Sequence, residues 1–263
     1  MSQIMTDRDL LEALDLGHPG LGEVRAAVTA DDPDAAKEQL IKYFRSRKEV
    51  AADAGPPGPE DHPEATTERA DELCQLLASR DWLRVAEPAE IPERLYSTQV
   101  MIQNDHGEFA ELAQAYAETG NHRYARECVA RMLQWVDATG PLPTCPPIGP
   151  TAPMWRTVEY VNPRISSWTK CLSHLRHCPA VTVDEQLTLL KVILHHLRYT
   201  ANNQVPGMPN MVIHLFEKLI GSGRAWPEFS ESETWIATGV DGLCTLLDDY
   251  FYPDGAYIEL SYF

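Results

Sequence analysis

Asn210, in the stretch "NNQVPGMPNMVIHLF", follows Pro209 where an apolar run of helical period begins. Two readings fit an asparagine at that point. Its side chain can cap the free backbone N–H groups of the first helical turn. Alternatively, its carboxamide can donate a hydrogen bond to a bound carboxylate, an anion that the positive end of the helix dipole favours. Asn203, earlier in the same stretch, is a further candidate for substrate contact. A second grouping, "MWRTVEYVNPRISSW", holds Trp155, Arg156, Arg164 and Trp168. Tryptophan faces stack on sugar rings, and arginine pairs bidentately with carboxylate or sulfate. Ordinary amphipathic packing with snorkelling arginine stems fits the same residues.

Other chemistries find less support. His174 and His177 stand three apart and His195 adjoins His196, but neither pair has an acid at ligand spacing. A zinc site needs three or four converging ligands, so these read as surface or half-buried histidines. The chain has no nucleophile-elbow serine, no phosphate-cradling glycine loop and no dinucleotide fingerprint, and no cofactor is expected. A formal net charge of −17 argues against nucleic acid as a partner. It also opposes a polyanionic ligand, unless Arg156, Arg164, Lys170 and Arg198 gather locally, since salt screens charges beyond about 8 Å. The six cysteines lack any C-x-x-C pair and fall mostly in apolar helical patterns, which suggests buried free thiols.

The elements that must position these groups are helical throughout. Segments such as "PDAAKEQLIKYFRSRKEV", "GEFAELAQAYAETG", "HRYARECVARMLQWVDATG", "VDEQLTLLKVILHHLRYTANN" and "ESETWIATGVDGLCTLLDDYF" carry helical period. The two that end in Gly120 and Gly140 read as hairpin partners closed by C-cap glycines. A Pro-, Gly- and acid-rich loop is expected at about 51–66. Strand-like alternation begins only at Ala256. The class is therefore all-α, as an open solenoid or a closed toroid of hairpins. A solenoid should repeat the "AYAETGNHRYARECV" pattern at a period of about 34 residues, and no second copy flanks Gly120. The toroid is the reading kept. No run reaches the roughly 18 apolar residues of a membrane span. The start shows no secretory signal, so a cytoplasmic location or a processed N-terminus is expected.

Taken in order, the residues are similar to a family. Asn210, Gly223, Trp226, Pro227, Glu228, Phe229, Trp235, Asp254, Gly255 and Glu259 follow the pattern of the heparinase II/III-like polysaccharide lyases. There an Asn opens a helix, a Gly and an aromatic precede Pro-Glu-Phe, and D-G-x-x-x-E follows. "NDHGEFAELAQAYAETGNHRYARECVARMLQWV", "WRTVEYVNPRISSW" and the opening helices also resemble that family, so the likeness covers most of the chain.

The resemblance implies an incomplete (α/α) toroid spanning residues 1–263, with a C-terminal β-sandwich domain that this chain does not contain. It implies cleavage of a uronic-acid, glycosaminoglycan-like polysaccharide by β-elimination, and a periplasmic or secreted setting as the alternative location. Asn210 maps to the family's carboxylate-neutralising asparagine; Trp155, Arg156, Arg164, Trp168, Asn203 and Glu259 are expected to contact substrate. The family's catalytic tyrosine stands five residues after that Glu, one residue past Phe263, and its histidine belongs to the β-sandwich domain. The chain alone is accordingly expected to be inactive. Two positions depart from many members: Met211 where they carry His, and Leu215 where several carry Glu. The competing expectation is a non-catalytic toroid that binds carbohydrate or protein.

Overall fold

Local capping signals start and stop the helices of the chain. The structure, a computed structural model, describes residues 4–47, 63–78, 105–140, 158–203, 209–250 and 252. Among the described residues there are ten helices: α1 (Asp7–Glu12), α2 (Gly22–Thr29), α3 (Pro33–Ser46), α4 (Pro63–Ala78), α5 (Gly107–Thr119), α6 (His122–Thr139), α7 (Val158–Leu175), α8 (Val183–Asn202), α9 (Pro209–Ala225) and α10 (Ser232–Tyr250). Thr6 and Asp9 form a capping box on α1, and Thr182 and Glu185 form another on α8. Asp32 caps α3, with Pro33 at its first position. Gly120 closes α5 in the left-handed region at φ +69°, where a glycine carries no steric penalty. Of the acidic loop expected at about 51–66, residues 51–62 lie outside the described residues, and 63–66 are already helical because α4 begins at Pro63.

Consecutive helices pair as hairpins: α5 with α6, α7 with α8, and α9 with α10. The hairpins then pack laterally, α4 on α5, α5 on α7 and α7 on α9, while α3 lies against α8. One apolar core runs through all of them, from Leu10 and Leu40 through Leu112, Cys128, Cys171 and Leu194 to Leu219 and Trp226. The thiols of Cys74, Cys128, Cys171 and Cys178 are buried as free cysteines; Cys244 is exposed. The α9–α10 pair packs backbone close to backbone. A Cβ built on Gly239 would lie 2.7 Å from the Phe216 carbonyl oxygen and 2.7 Å from Ile220 Cγ1. Only glycine permits that backbone approach.

A backbone bridge, Leu14 to Phe229, helps tie the N-terminal helices to the α9–α10 connection. Asp15 N–H donates to Glu228 O at 2.8 Å and Ser230 N–H to Ala13 O at 2.9 Å. Among the described residues no helix is long and apolar enough to cross a membrane.

Candidate functional site between α7 and α9

A cleft of about 550 Å³ opens between α7 and α9, lined by Asn162, Pro163, Ser166, His214, Glu217, Lys218, Ile220 and Gly221. Its size falls within the roughly 300–1,000 Å³ of small-molecule sites. Polar groups bridge its two walls. Lys218 Nζ donates across it to Ser166 Oγ at 2.5 Å. At the outer rim His214 Nδ1 lies 3.2 Å from Glu217 Oε2. Asn162 is nearly buried, and its Oδ1 accepts the Thr200 hydroxyl of α8 at 3.1 Å. Pro163 stands inside α7, where its missing N–H leaves one backbone carbonyl without its helical donor.

Asn210 is the second residue of α9, since Pro209 takes the first helical position. It is therefore not the N-cap. Its side chain lies outside the described residues, but its helical register is clear. Asn210, His214, Glu217 and Gly221 fall at i, i+4, i+7 and i+11, one stripe of a 3.6-residue helix, and the last three line the cleft. Leu215, at the position where several members of the resembled family carry Glu, points the other way and is 3 % exposed.

Arg164 and Trp168 stand behind this cleft, closed to solvent at 0 % and 1 % exposure. The expectation that they offer a guanidinium and an indole face to a sugar is not met. Trp168 Nε1–H donates to His106 Nδ1 at 2.8 Å, and both the His106 and His196 rings lie near-parallel to the indole, at 29° and 26°. Arg164 places its guanidinium 4.5 Å from the centroid of the Trp135 ring, and its Nε–H donates to His196 Nε2 at 3.0 Å. An arginine Nε can only donate, so the His196 proton sits on Nδ1, which donates to Val192 O at 2.7 Å. Burial, with the positive Arg164 beside it, holds the His196 pKa well below its usual value, so the ring is neutral. Burial also lowers the Arg164 pKa to about 9, against the pull of Asp105, which leaves it charged at neutral pH. His196 is thus a core residue at 2 % exposure rather than a surface or half-buried one.

The remaining expected residues divide. Asn203 ends α8, 8 % exposed, with its Nδ2 donating to Tyr199 O at 2.8 Å; it serves its own helix terminus. Arg198 pairs with Glu231 at 2.8 Å, so it does not gather with Arg164 into a cationic patch. Trp155, Arg156 and Glu259 lie outside the described residues. Lys218, Ser166 and Asn162 were not singled out by sequence, because they meet only when α7 and α9 are side by side. Burial, then the nearby Glu111 and Asp105 carboxylates, push the Glu108 pKa up to about 7 at the start of α5.

Trp226-Pro227-Glu228-Phe229 proves to be a latch. Glu228 is fully buried, accepts the Tyr43 hydroxyl at 2.7 Å and meets Arg47 Nε at 3.2 Å. Arg47 also donates to Ala225 O at 2.8 Å, while Trp226 packs edge-on against Phe44 at 5.7 Å. The latch joins α3 to the α9–α10 turn, which sets where α9 stands.

Residues 10–263 match the family described as Heparinase II/III N-terminus. The chain belongs to that family. Two curated relatives are heparin-sulfate lyases. The one from Bacteroides thetaiotaomicron is 22 % identical over 98 % of this chain and 38 % of its own length. That from Pedobacter heparinus is 24 % identical over 99 % of this chain and 40 % of its own length. Among solved structures, the heparan sulfate lyase HepC from Pedobacter heparinus superposes with a TM-score of 0.75 at 21 % identity, covering 98 % of this chain and 41 % of that one. A heparinase III crystal structure gives 0.77 at 21 %, covering 96 % and 40 %. The hairpin array is thus the incomplete α/α toroid of the heparinase II/III family, and the chain spans about two fifths of the relatives' length.

Proposed function

We propose that the chain is the N-terminal, cleft-bearing domain of a polysaccharide lyase acting on a uronic-acid-containing glycosaminoglycan. The observation that carries this is the register of Asn210 with His214, Glu217 and Gly221 along the α9 face of the cleft. In β-elimination the proton leaves C5, the C4–O bond breaks, and a C4–C5 double bond forms in the new non-reducing sugar. The C5 proton is hard to remove while the adjacent carboxylate is ionised and unneutralised. A carboxamide donating to that carboxylate lets the developing charge spread into it, which stabilises the transition state more than the ground state. Asn210 takes that part. Arg164, Trp168 and His196 support it from behind, as a rigid buried layer that keeps α7 in place against α8.

The proton-transfer groups, on the same reading, are the family's tyrosine and a histidine of a β-sandwich domain. Residues 1–263 by themselves then bind acidic oligosaccharide without turning it over. In the complete lyase, Asn210→Ala is expected to lower kcat by about 10²–10³, as loss of an oxyanion-type donor does. The measurement is ultraviolet absorbance of the 4,5-unsaturated product from several uronate polymers. A wild-type rate in that variant would remove Asn210 from the mechanism; no product from any uronate polymer with the unaltered protein would remove the lyase reading.

A further inference from the structure

Asn162 is a nearly buried amide whose nitrogen the fold leaves unused. It lines the α7–α9 cleft at 7 % exposure. Its Oδ1 accepts the hydroxyl of Thr200, a wholly buried residue of α8, at 3.1 Å. Its Nδ2 has no partner among the described residues. We propose that Asn162 is a second carboxamide donor to the bound glycan, its Nδ2 giving a hydrogen bond to a sugar oxygen, carboxylate or hydroxyl. The inference rests on the lyase reading of this cleft and adds to Asn210, on α9, a binding residue on the other wall.

Three observations support the assignment. First, an amide N–H at that depth has lost most of its water and gains no bond from the protein in return, a state that folded proteins allow to few groups. A ligand oxygen in the cleft supplies the bond. Second, the Thr200 hydroxyl decides which end of the carboxamide the cleft receives. The oxygen is taken by α8, so the nitrogen is the end on offer. A donor oriented in advance loses less freedom when ligand arrives. Third, Ser166, where Lys218 crosses between the walls, lies four residues beyond Asn162, about 6 Å along α7 at 1.5 Å per residue. Asn162 on α7 and His214 on α9 each stand one turn before that crossing, so both walls carry a hydrogen-bonding side chain near it. A neutral donor also suits a chain of net charge −17, because its bond needs no unbalanced positive charge and is little screened by salt.

The test is calorimetric titration of the chain with a uronate oligosaccharide, and with the same oligosaccharide after reduction of its carboxyls, each at low and high salt. Asn162→Ala is expected to bind the uronate oligosaccharide about tenfold more weakly, by the same factor at both salt concentrations. Asn162→Asp keeps the shape and the acceptor for Thr200 but has no N–H, and is expected to bind at least as weakly. Thr200→Val keeps the Nδ2 donor but frees its orientation, and is expected to fall between Asn162→Ala and the unaltered chain. A loss that persists on the reduced oligosaccharide identifies a hydroxyl as the acceptor; a loss confined to the unreduced one identifies the carboxylate. If Asn162→Ala and Asn162→Asp bind like the unaltered chain while Asn210→Ala binds more weakly, the donor is overturned and the lyase reading stands. If Asn162→Ala and Thr200→Val lose binding equally and their melting temperatures fall equally, the pair is structural and the donor is overturned. If the unaltered chain binds no uronate oligosaccharide, both readings are overturned.

Discussion

Replacing Glu228 with alanine is expected to destabilise the chain by about 3–5 kcal/mol, the usual cost of removing one partner of a buried ion pair. The magnitude follows from what the carboxylate leaves behind. Arg47 has a side chain only 11 % exposed and loses its countercharge at 3.2 Å. The Tyr43 hydroxyl loses its acceptor at 2.7 Å. Each hydrogen bond to a charged group contributes about 1.5–3 kcal/mol, and the two share one oxygen, so their losses do not simply add. Glu228→Gln keeps the shape and an acceptor for Tyr43 but drops the charge, and is expected to cost less than Glu228→Ala. Tyr43→Phe is expected to cost about 1.5–3 kcal/mol and, combined with Glu228→Gln, to show a coupling above about 0.5 kcal/mol. The assay is urea unfolding followed by helical circular dichroism, with the midpoint falling and the slope unchanged. A Glu228→Ala variant within about 0.5 kcal/mol of the parent would mean the latch behaves like a surface pair, and the reasoning would fail. The same latch predicts an alkaline signature. Burial, and then the bond to Glu228, raise the Tyr43 pKa above its usual 10.0. Its contribution is fully present below about pH 10 and is lost as pH rises through the folded-state value. Tyr43→Phe should therefore flatten the loss of stability above pH 10.

Gly239→Ala is expected to cost about 1–3 kcal/mol, because the new Cβ would meet the Phe216 carbonyl oxygen at 2.7 Å and backbone cannot swing aside as a side chain can. A melting temperature equal to the parent's would show that α9 and α10 are less closely packed than described. Glu108 has a folded-state pKa of about 7 against a usual 4.5, so between those values the folded chain holds more protons than the unfolded one. Stability should then decline as pH rises from about 4.5 to 7, by at most about 3 kcal/mol, and Glu108→Gln should flatten that window; identical slopes in both proteins would refute the burial of that carboxyl.

Helix positions in this chain are set by neighbours in sequence. The Thr6–Asp9 and Thr182–Glu185 capping boxes, Asp32 with Pro33, and Gly120 at φ +69° all use atoms within a few residues of one another. Such signals act before any tertiary contact forms, so the all-α class and the hairpin pairing are legible in the letters alone. The spacing of Asn210 from His214, Glu217 and Gly221 is equally a property of one helix. The acidic loop is a partial exception, since α4 takes up its last residues from Pro63 onward. What the letters could not decide is which polar groups are buried and which meet. "RISSW" reads the same whether Arg164 and Trp168 face a sugar or the core. Their burial is settled by partners 32 and 62 residues away, His196 and His106. Glu228 finds Tyr43 across 185 residues, and Lys218 finds Ser166 across 52. Those contacts depend on which faces of the hairpins pack together, a choice made by the summed burial of the whole core rather than by any local pattern.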